Sequence, residues 1–151
     1  MKSITATLYI ASTPEVVFAA LTQPPGVAAL FFGSRLETSF EPGSPYRYVG
    51  PDGNGGEAVH VEGEVLAFER GARWCVRHRA GPAWRTPGRV FESRLTYELR
   101  DAGFATQVTV THDEIEDDDP GYAHNREGWV IFLSRLKSYV ETGRAFDVPL
   151  S

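Results

Sequence analysis

Residues 122–141 read YAHNREGWVIFLSRLKSYVE, and this stretch decides the fold. Its apolar residues recur at the spacing i, i+3, i+4, i+7, i+11, which is typical of one helix face. The spacing predicts an amphipathic helix over 122–141, ended by Gly143, because glycine suits the residue just past a helix. A helix this long must bury its apolar stripe against another layer. The stripe consists of Trp129, Phe132, Leu133, Leu136 and Val140.

The N-terminal segment predicts one strand and two short helices. Residues 3–11 alternate apolar and polar side chains, as a half-buried strand does. The Thr-Pro-Glu sequence at 13–15 combines an N-cap, a first-turn proline and an acidic residue, so it predicts a short helix up to residue 21. A pair of prolines ends that helix, and a second helical turn is expected over 26–32.

The middle of the chain predicts six further strands, separated by turns rich in glycine and proline. In the longest of these strands, the alternation of side chains predicts that one face carries Val59, Val61, Gly63, Val65 and Ala67. The predicted strands cover 35–40, 46–49, 58–68, 73–79, 90–99 and 106–112. The order predicts an α+β fold: a curved antiparallel sheet of about six to seven strands wraps around the long C-terminal helix, and two short helices follow strand 1.

Composition limits the classes of function. The 151 residues, 42% of them hydrophobic, suit a single domain over 1–143 with a short tail at 144–151. A net charge of −5 without a basic stripe argues against nucleic acid as a partner. The apolar runs are too short to cross a membrane, so no membrane partner is expected. The single Cys75 has no internal disulfide partner, and a cytoplasmic location is predicted.

Strand alternation and the helix stripe place a set of side chains between sheet and helix. A mostly apolar wall with a few polar groups is typical of a small-ligand site. The same side chains could instead fill an ordinary close-packed core. The candidate ligand-binding residues are Phe18, Val61, Trp74, Val76, His78, Phe91, Ser93, Leu95, Val108, Val110, His112, Trp129, Phe132, Leu133 and Leu136.

Two inward histidines are the first candidates for chemistry. His78 and His112 could orient a polar ligand group or exchange a proton, or they could be strand-end residues that reach solvent. Glu64 is a reserve acid or base, facing inward only if a bulge at Gly63 shifts the strand by one residue. Cys75 has the parity opposite to Trp74, so it is expected on the outer surface.

Metals and cofactors have little support in the sequence. The four histidines lack the H-x-x-x-H and H-E-x-x-H spacings, so no metal and no cofactor are predicted. The acidic run at 114–119 lacks the ordered ligands of a calcium loop and is interpreted as a solvated loop before the long helix. The glycines at 53–56 lack the G-K-[ST] ending of a phosphate loop.

Four motifs together resemble one known family. They are IASTPEVVFAALT at 10–22, FEPG at 40–43, GEV at 63–65, and Gly128-Trp129 with Leu133, Leu136-Lys137 and Gly143. Their order resembles the activator of Hsp90 ATPase homologue 1-like (AHSA1-like) family of the START/Bet v 1-like (SRPBCC) superfamily. One departure is Phe31-Phe32, where members often carry tryptophan after the second short helix.

The resemblance implies a helix-grip fold, and many lone members of the family are small bacterial proteins. It implies a small hydrophobic or aromatic ligand bound between sheet and helix, in a monomer or homodimer. One alternative is a polyketide cyclase-like or hydratase-like enzyme that uses the same pocket. The other is a chaperone-linked protein-interaction module.

Overall fold

The computed structural model describes residues 1–85 and 88–149, so the last two positions of the predicted tail lie outside the described residues. One antiparallel sheet of seven strands is present, with the strand order β1-β7-β6-β5-β4-β3-β2. The strands are β1 (Lys2–Ile10), β2 (Arg35–Thr38), β3 (Pro45–Pro51), β4 (Glu57–Glu69), β5 (Arg73–Ala80), β6 (Glu92–Asp101) and β7 (Thr106–Ile115). The helices are α1 (Pro14–Thr22), α2 (Pro24–Leu30) and α3 (Tyr122–Thr142).

The two short helices follow β1 as the sequence predicts. Thr13 caps α1: its Oγ1 accepts a hydrogen bond from the Val16 amide at 3.3 Å. The second helix begins at Pro24 and not at the predicted Gly26, because proline also suits the first helical position. Gly26 permits the close approach of α1 and α2, since a Cβ there would lie 2.2 Å from the Ala20 carbonyl oxygen.

The long helix packs its apolar stripe on the inner face of the sheet, meaning the face toward α3. Leu133 and Leu136 are fully buried, and Trp129, Phe132 and Val140 pack partly buried against the core. Gly143 ends the helix in a left-handed conformation with φ 84°. The predicted α+β helix-grip architecture is confirmed.

The face assignment along β4 is wrong after Val65. A bulge between Val65 and Ala67 shifts the register, so Phe68 lies opposite Trp74 and Ala67 lies opposite Cys75. A bulge adds one residue to a strand and inverts the parity of the residues beyond it. The inner face therefore gains the large Phe68 ring where the alternation predicts an alanine.

The outer face of the sheet carries charge pairs that alternate in sign. A row of Glu37, Arg47, Glu62, Arg79 and Glu92 crosses five neighbouring strands. Arg47 Nε lies 2.6 Å from Glu37, and Arg79 lies 3.3 Å from both Glu62 and Glu92. The arginines of these strands thus belong to a solvated, ion-paired surface. None of the described helices is long and apolar enough to cross a membrane.

Candidate functional site

Most of the predicted ligand-binding residues lie together on the inner face. Trp74, Val76, Leu95, Val108 and Val110 are each less than 5% exposed and form the floor of the core cluster. Phe18 reaches this cluster from α1, and its ring lies 5.5 Å from that of Phe68. The stripe of α3 covers the floor from the other side, so the region between sheet and helix, which we call the inner space, is one common core cluster.

His112 is the centre of a hydrogen-bonded polar group in this apolar space. It is 2% exposed, and its two ring nitrogens have different partners. The indole Nε1 of Trp129 donates to His112 Nδ1 at 3.0 Å, and Ser93 Oγ lies 2.6 Å from His112 Nε2. Strand β7 supplies His112, strand β6 supplies Ser93, and α3 supplies Trp129, so the group ties helix to sheet.

The indole bond decides which nitrogen of His112 carries the proton. An indole N–H can only donate, so Nδ1 of His112 must be an acceptor without a proton. In the neutral ring the proton is then on Nε2, which donates to Ser93 Oγ. The hydroxyl proton of Ser93 remains available to an acceptor other than His112.

His78 forms a second polar pair beside the first. Its Nδ1 lies 3.1 Å from the hydroxyl of Tyr46, and its ring meets that of His112 edge to face at a centroid distance of 5.6 Å. Its Nε2 forms no hydrogen bond with another described residue. Tyr46, His78 and Ser93 lie in one row across strands β3 to β6, because Gly63 and His78 are register partners of Tyr46 and Ser93 respectively.

Burial keeps both histidines uncharged near neutral pH. Desolvation lowers the pKa of His78 to about 3, and the neighbouring His112 lowers it further in the same direction. Desolvation also lowers the pKa of His112, against a smaller opposite effect of the Asp119 and Asp113 carboxylates. The paired imidazoles therefore act as neutral hydrogen-bonding groups.

Three tyrosine hydroxyls surround this polar group. Desolvation raises the pKa of Tyr46, Tyr48 and Tyr97 above its usual value, so all three stay protonated. The Nε1 of Trp74 is buried without a partner among the described residues. The inner space thus contains a donor that its own side chains do not satisfy.

The structure shows where three further candidate residues lie. Phe91 precedes β6 and lies half-buried under the guanidinium of Arg89, 4.3 Å from the ring centroid, so it is not in the core cluster. Glu64 is exposed on the outer face opposite Arg77, because the β4 bulge falls after Val65 and not at Gly63. Cys75 has the predicted outer parity, but it is only 3% exposed.

Tyr46 and Tyr48 are site residues that the sequence reasoning missed. Their signal is the Tyr46-x-Tyr48 spacing in a predicted strand, which places two large side chains on one face. The sequence marks Phe31 only as a departure from the tryptophan that family members often carry after the second short helix. Its ring stacks on Tyr48 at 4.4 Å and contacts Phe132 at 5.3 Å.

Several inner residues keep partial exposure at one end of the sheet. The term open end denotes the end of the sheet at which β3, β5 and β7 finish and α3 begins. Inner side chains that keep partial exposure near it are Val61, His78, Phe31, Trp129 and Phe132. A molecule that enters between sheet and helix would pass these side chains first.

Two grooves lie elsewhere, away from the polar group. One of about 590 Å³ runs along the charged row of Glu37, Arg47, Glu62 and Arg79, with Tyr46 at its edge. The other, of about 410 Å³, is lined by Arg73, Glu98, Thr109 and their neighbours. Their lining is dominated by ion-paired and polar outer side chains, which suits an apolar ligand less well than the inner space. Within 1–85 and 88–149 there is no cluster of three or more metal-ligating side chains.

Comparison with known proteins gives one family match and several structural relatives. The family model described as activator of Hsp90 ATPase homolog 1-like protein matches residues 11–141. Among curated proteins, none matches this chain.

Many solved structures share its fold. DynU16, from the dynemicin biosynthetic locus, is 23% identical with a TM-score of 0.72 over 96% of this chain, which spans about half (49%) of DynU16. The Aha1 dimer of Colwellia psychrerythraea is 24% identical with a TM-score of 0.71, over 95% of this chain and 98% of that one. CalU16 of Micromonospora echinospora is 16% identical with a TM-score of 0.69, over 93% and 77%. At these identities the likeness shows the fold alone.

Proposed function

This chain belongs to the family of activator of Hsp90 ATPase homolog 1-like proteins, and on that premise we propose that it binds a small hydrophobic or aromatic molecule between the sheet and α3. The family predicted from the four motifs is confirmed by the match over residues 11–141. The observation that carries the proposal is the polar group around His112 inside an otherwise apolar wall. A few fixed polar groups in an apolar enclosure give a ligand both affinity and orientation.

The aromatic lining favours a flat ligand. Tyr97, Trp129 and Phe132 contact one another at centroid distances of 5.6–6.3 Å with tilted or edge-on rings. Rings in these orientations present faces and edges to a further ring, which is how aromatic groups pack best. The origin of the structural relative DynU16 in a biosynthetic locus supports a small organic ligand for this fold.

Binding fits the polar group better than catalysis does. Both ring nitrogens of His112 already have protein partners, so it has no free site for a proton transfer. His78 has a free Nε2, but its low pKa of about 3 makes it a weak base. We therefore assign both histidines to positioning a ligand.

Native mass spectrometry and a thermal-shift panel test the proposal. Purified protein should carry or take up an apolar molecule, and a ligand at a hundredfold excess over its Kd should add about 2.7 kcal/mol to the free energy of unfolding. The panel should contain fatty alcohols, fatty acids and aromatic phenols.

A matched pair of variants locates the site. V61F places a ring at the open end of the inner space and should weaken binding, whereas E64F places the same ring on the outer face of the same strand and should not. Equal binding by V61F would move the site away from the inner face. No ligand across the panel would reject the binding function and leave a protein-interaction module.

A further inference from the structure

The inner space is uncharged, and this property restricts what it can hold. Arg135 is the only buried arginine or lysine of the described chain. Its guanidinium donates to the carbonyl oxygens of Leu30 at 2.7 Å, Ala29 at 3.0 Å and Phe146 at 2.8 Å. Those bonds hold three of its five N–H donors on backbone carbonyls of α2 and the C-terminal segment, none of which belongs to the polar group around His112.

The strand arginines lie on the far side of the sheet. Arg77, Arg79 and Arg94 alternate with inward residues, and each pairs with an outer-face carboxylate. Lys137 of α3 binds the Tyr9 carbonyl and the Glu141 carboxylate at 2.6 and 2.7 Å. None of these four arginines, nor Lys137, therefore faces the space that holds His112.

The polar atoms left over in this space are neutral donors and acceptors. Because His112 Nε2 donates to Ser93 Oγ, the Ser93 hydroxyl has its own proton free to donate. The Nε1 of Trp74 is buried in the same core cluster without a partner among the described residues. A buried donor without a partner is costly, so a bound group that pairs with it would be stabilised.

We propose that this site selects an uncharged ligand that carries a hydroxyl or carbonyl group and rejects the corresponding carboxylate. The proposal rests on the binding function proposed above and specifies its ligand class. A carbonyl or hydroxyl oxygen accepts the Ser93 proton at the small cost of desolvating a neutral group. A carboxylate would lose its hydration without a cation to compensate for the loss. The free energy of that desolvation exceeds the stabilisation from hydrogen bonds to neutral donors.

Matched ligand pairs separate charge from shape. Isothermal titration near neutral pH would compare naphthol with naphthoic acid, and decanol with decanoic acid. We expect the uncharged member of each pair to bind at least about tenfold more tightly, since one uncompensated charge exceeds one hydrogen bond in cost. Equal or tighter binding of the carboxylates would overturn the ligand class while leaving the binding function intact. Absence of binding by every member would reject the binding function, and the ligand class with it.

Variants of β6 test the role of the Ser93 hydroxyl. S93A should weaken the binding of naphthol about tenfold and leave that of naphthalene, which lacks a hydroxyl, unchanged. A merely structural role would weaken both ligands alike. T96V is the matched control, because it removes a buried hydroxyl from the outer face of the same strand, where Thr96 bonds Cys75 at 3.3 Å. Loss of naphthol binding in T96V equal to that in S93A would overturn the assignment.

Discussion

Trp129 donates its indole N–H to Nδ1 of His112 across 3.0 Å, and this bond joins the long helix to the last strand inside the core. It also fixes the tautomer of His112, because an indole can only donate. One contact between α3 and β7 therefore determines which nitrogen of His112 carries the proton and which of His112 and Ser93 donates to the other. Removing the indole should disturb both the packing of the helix and the protonation of the imidazole.

We expect W129F to lose about 2–3 kcal/mol of unfolding free energy. The variant keeps a ring but leaves His112 Nδ1 without its donor, and an unsatisfied buried acceptor costs about 1–3 kcal/mol. Urea unfolding measures the loss, and nitrogen NMR of the imidazole reports the tautomer. W84F is the control, since Trp84 is 65% exposed and donates to His60 Nδ1 at the surface. A W129F protein as stable as the parent protein would contradict the account.

The free energy of unfolding should fall as the pH drops below the pKa of free histidine. Burial depresses the pKa of His78 from 6.5 to about 3, so between these values the unfolded chain binds a proton that the folded chain does not. Linkage then makes folding less favourable as the pH falls, by about 2 kcal/mol at pH 5 compared with pH 8 for His78 alone. His112, whose pKa is also lowered, adds in the same direction.

Chemical denaturation at a series of pH values measures this loss. H78Q keeps a side chain that can bond Tyr46 and should flatten the pH dependence above pH 5. H124Q replaces an exposed histidine of α3 and should leave the dependence as it is in the parent protein. Equal slopes for H78Q and the parent would show that His78 is not held neutral by burial.

Arg135 is expected to hold the C-terminal segment against α2. R135K keeps the charge but cannot reach three carbonyls with one ammonium, so we expect a loss of about 2 kcal/mol. Amide hydrogen exchange of residues 144–149 should accelerate, because the bond to the Phe146 carbonyl is lost. R126K alters an exposed arginine of the same helix and should change neither measurement. Unchanged exchange at 144–149 in R135K would mean that other contacts hold the segment.

Sequence reasoning succeeded where a residue's position follows from the regular spacing of apolar residues near it in the chain. The stripe of α3 and the alternation of β1 both depend only on the spacing of apolar residues. It failed at Phe68, because a bulge is set by how two strands meet and leaves no local signal at Leu66. The pairing of Tyr46 with His78 was missed for a related reason: it requires the register of strands that are 32 residues apart in the chain.

Gly63 should tolerate no side chain. A Cβ at this position would lie 1.7 Å from the Arg77 carbonyl oxygen and 2.8 Å from Cε1 of Tyr46. The carbonyl belongs to the neighbouring strand and cannot move without breaking the ladder, so G63A should cost more than about 2 kcal/mol. Displacement of the Tyr46 ring should also lengthen its contact with His78. Urea unfolding and the chemical shifts of His78 measure the two effects.

The matched variant G128A should change the free energy of unfolding in the opposite direction to G63A. Gly128 lies within α3, and a Cβ there would meet nothing within 4 Å. Alanine then only restricts the unfolded chain and favours helix, which should add about 0.5–1 kcal/mol. The pair of variants separates a steric clash between neighbouring strands from the general effect of replacing glycine on the free energy of unfolding. If G63A were as stable as the parent protein, the close approach of β4 to β5 and Tyr46 would be wrong, and with it the row that aligns Tyr46, His78 and Ser93.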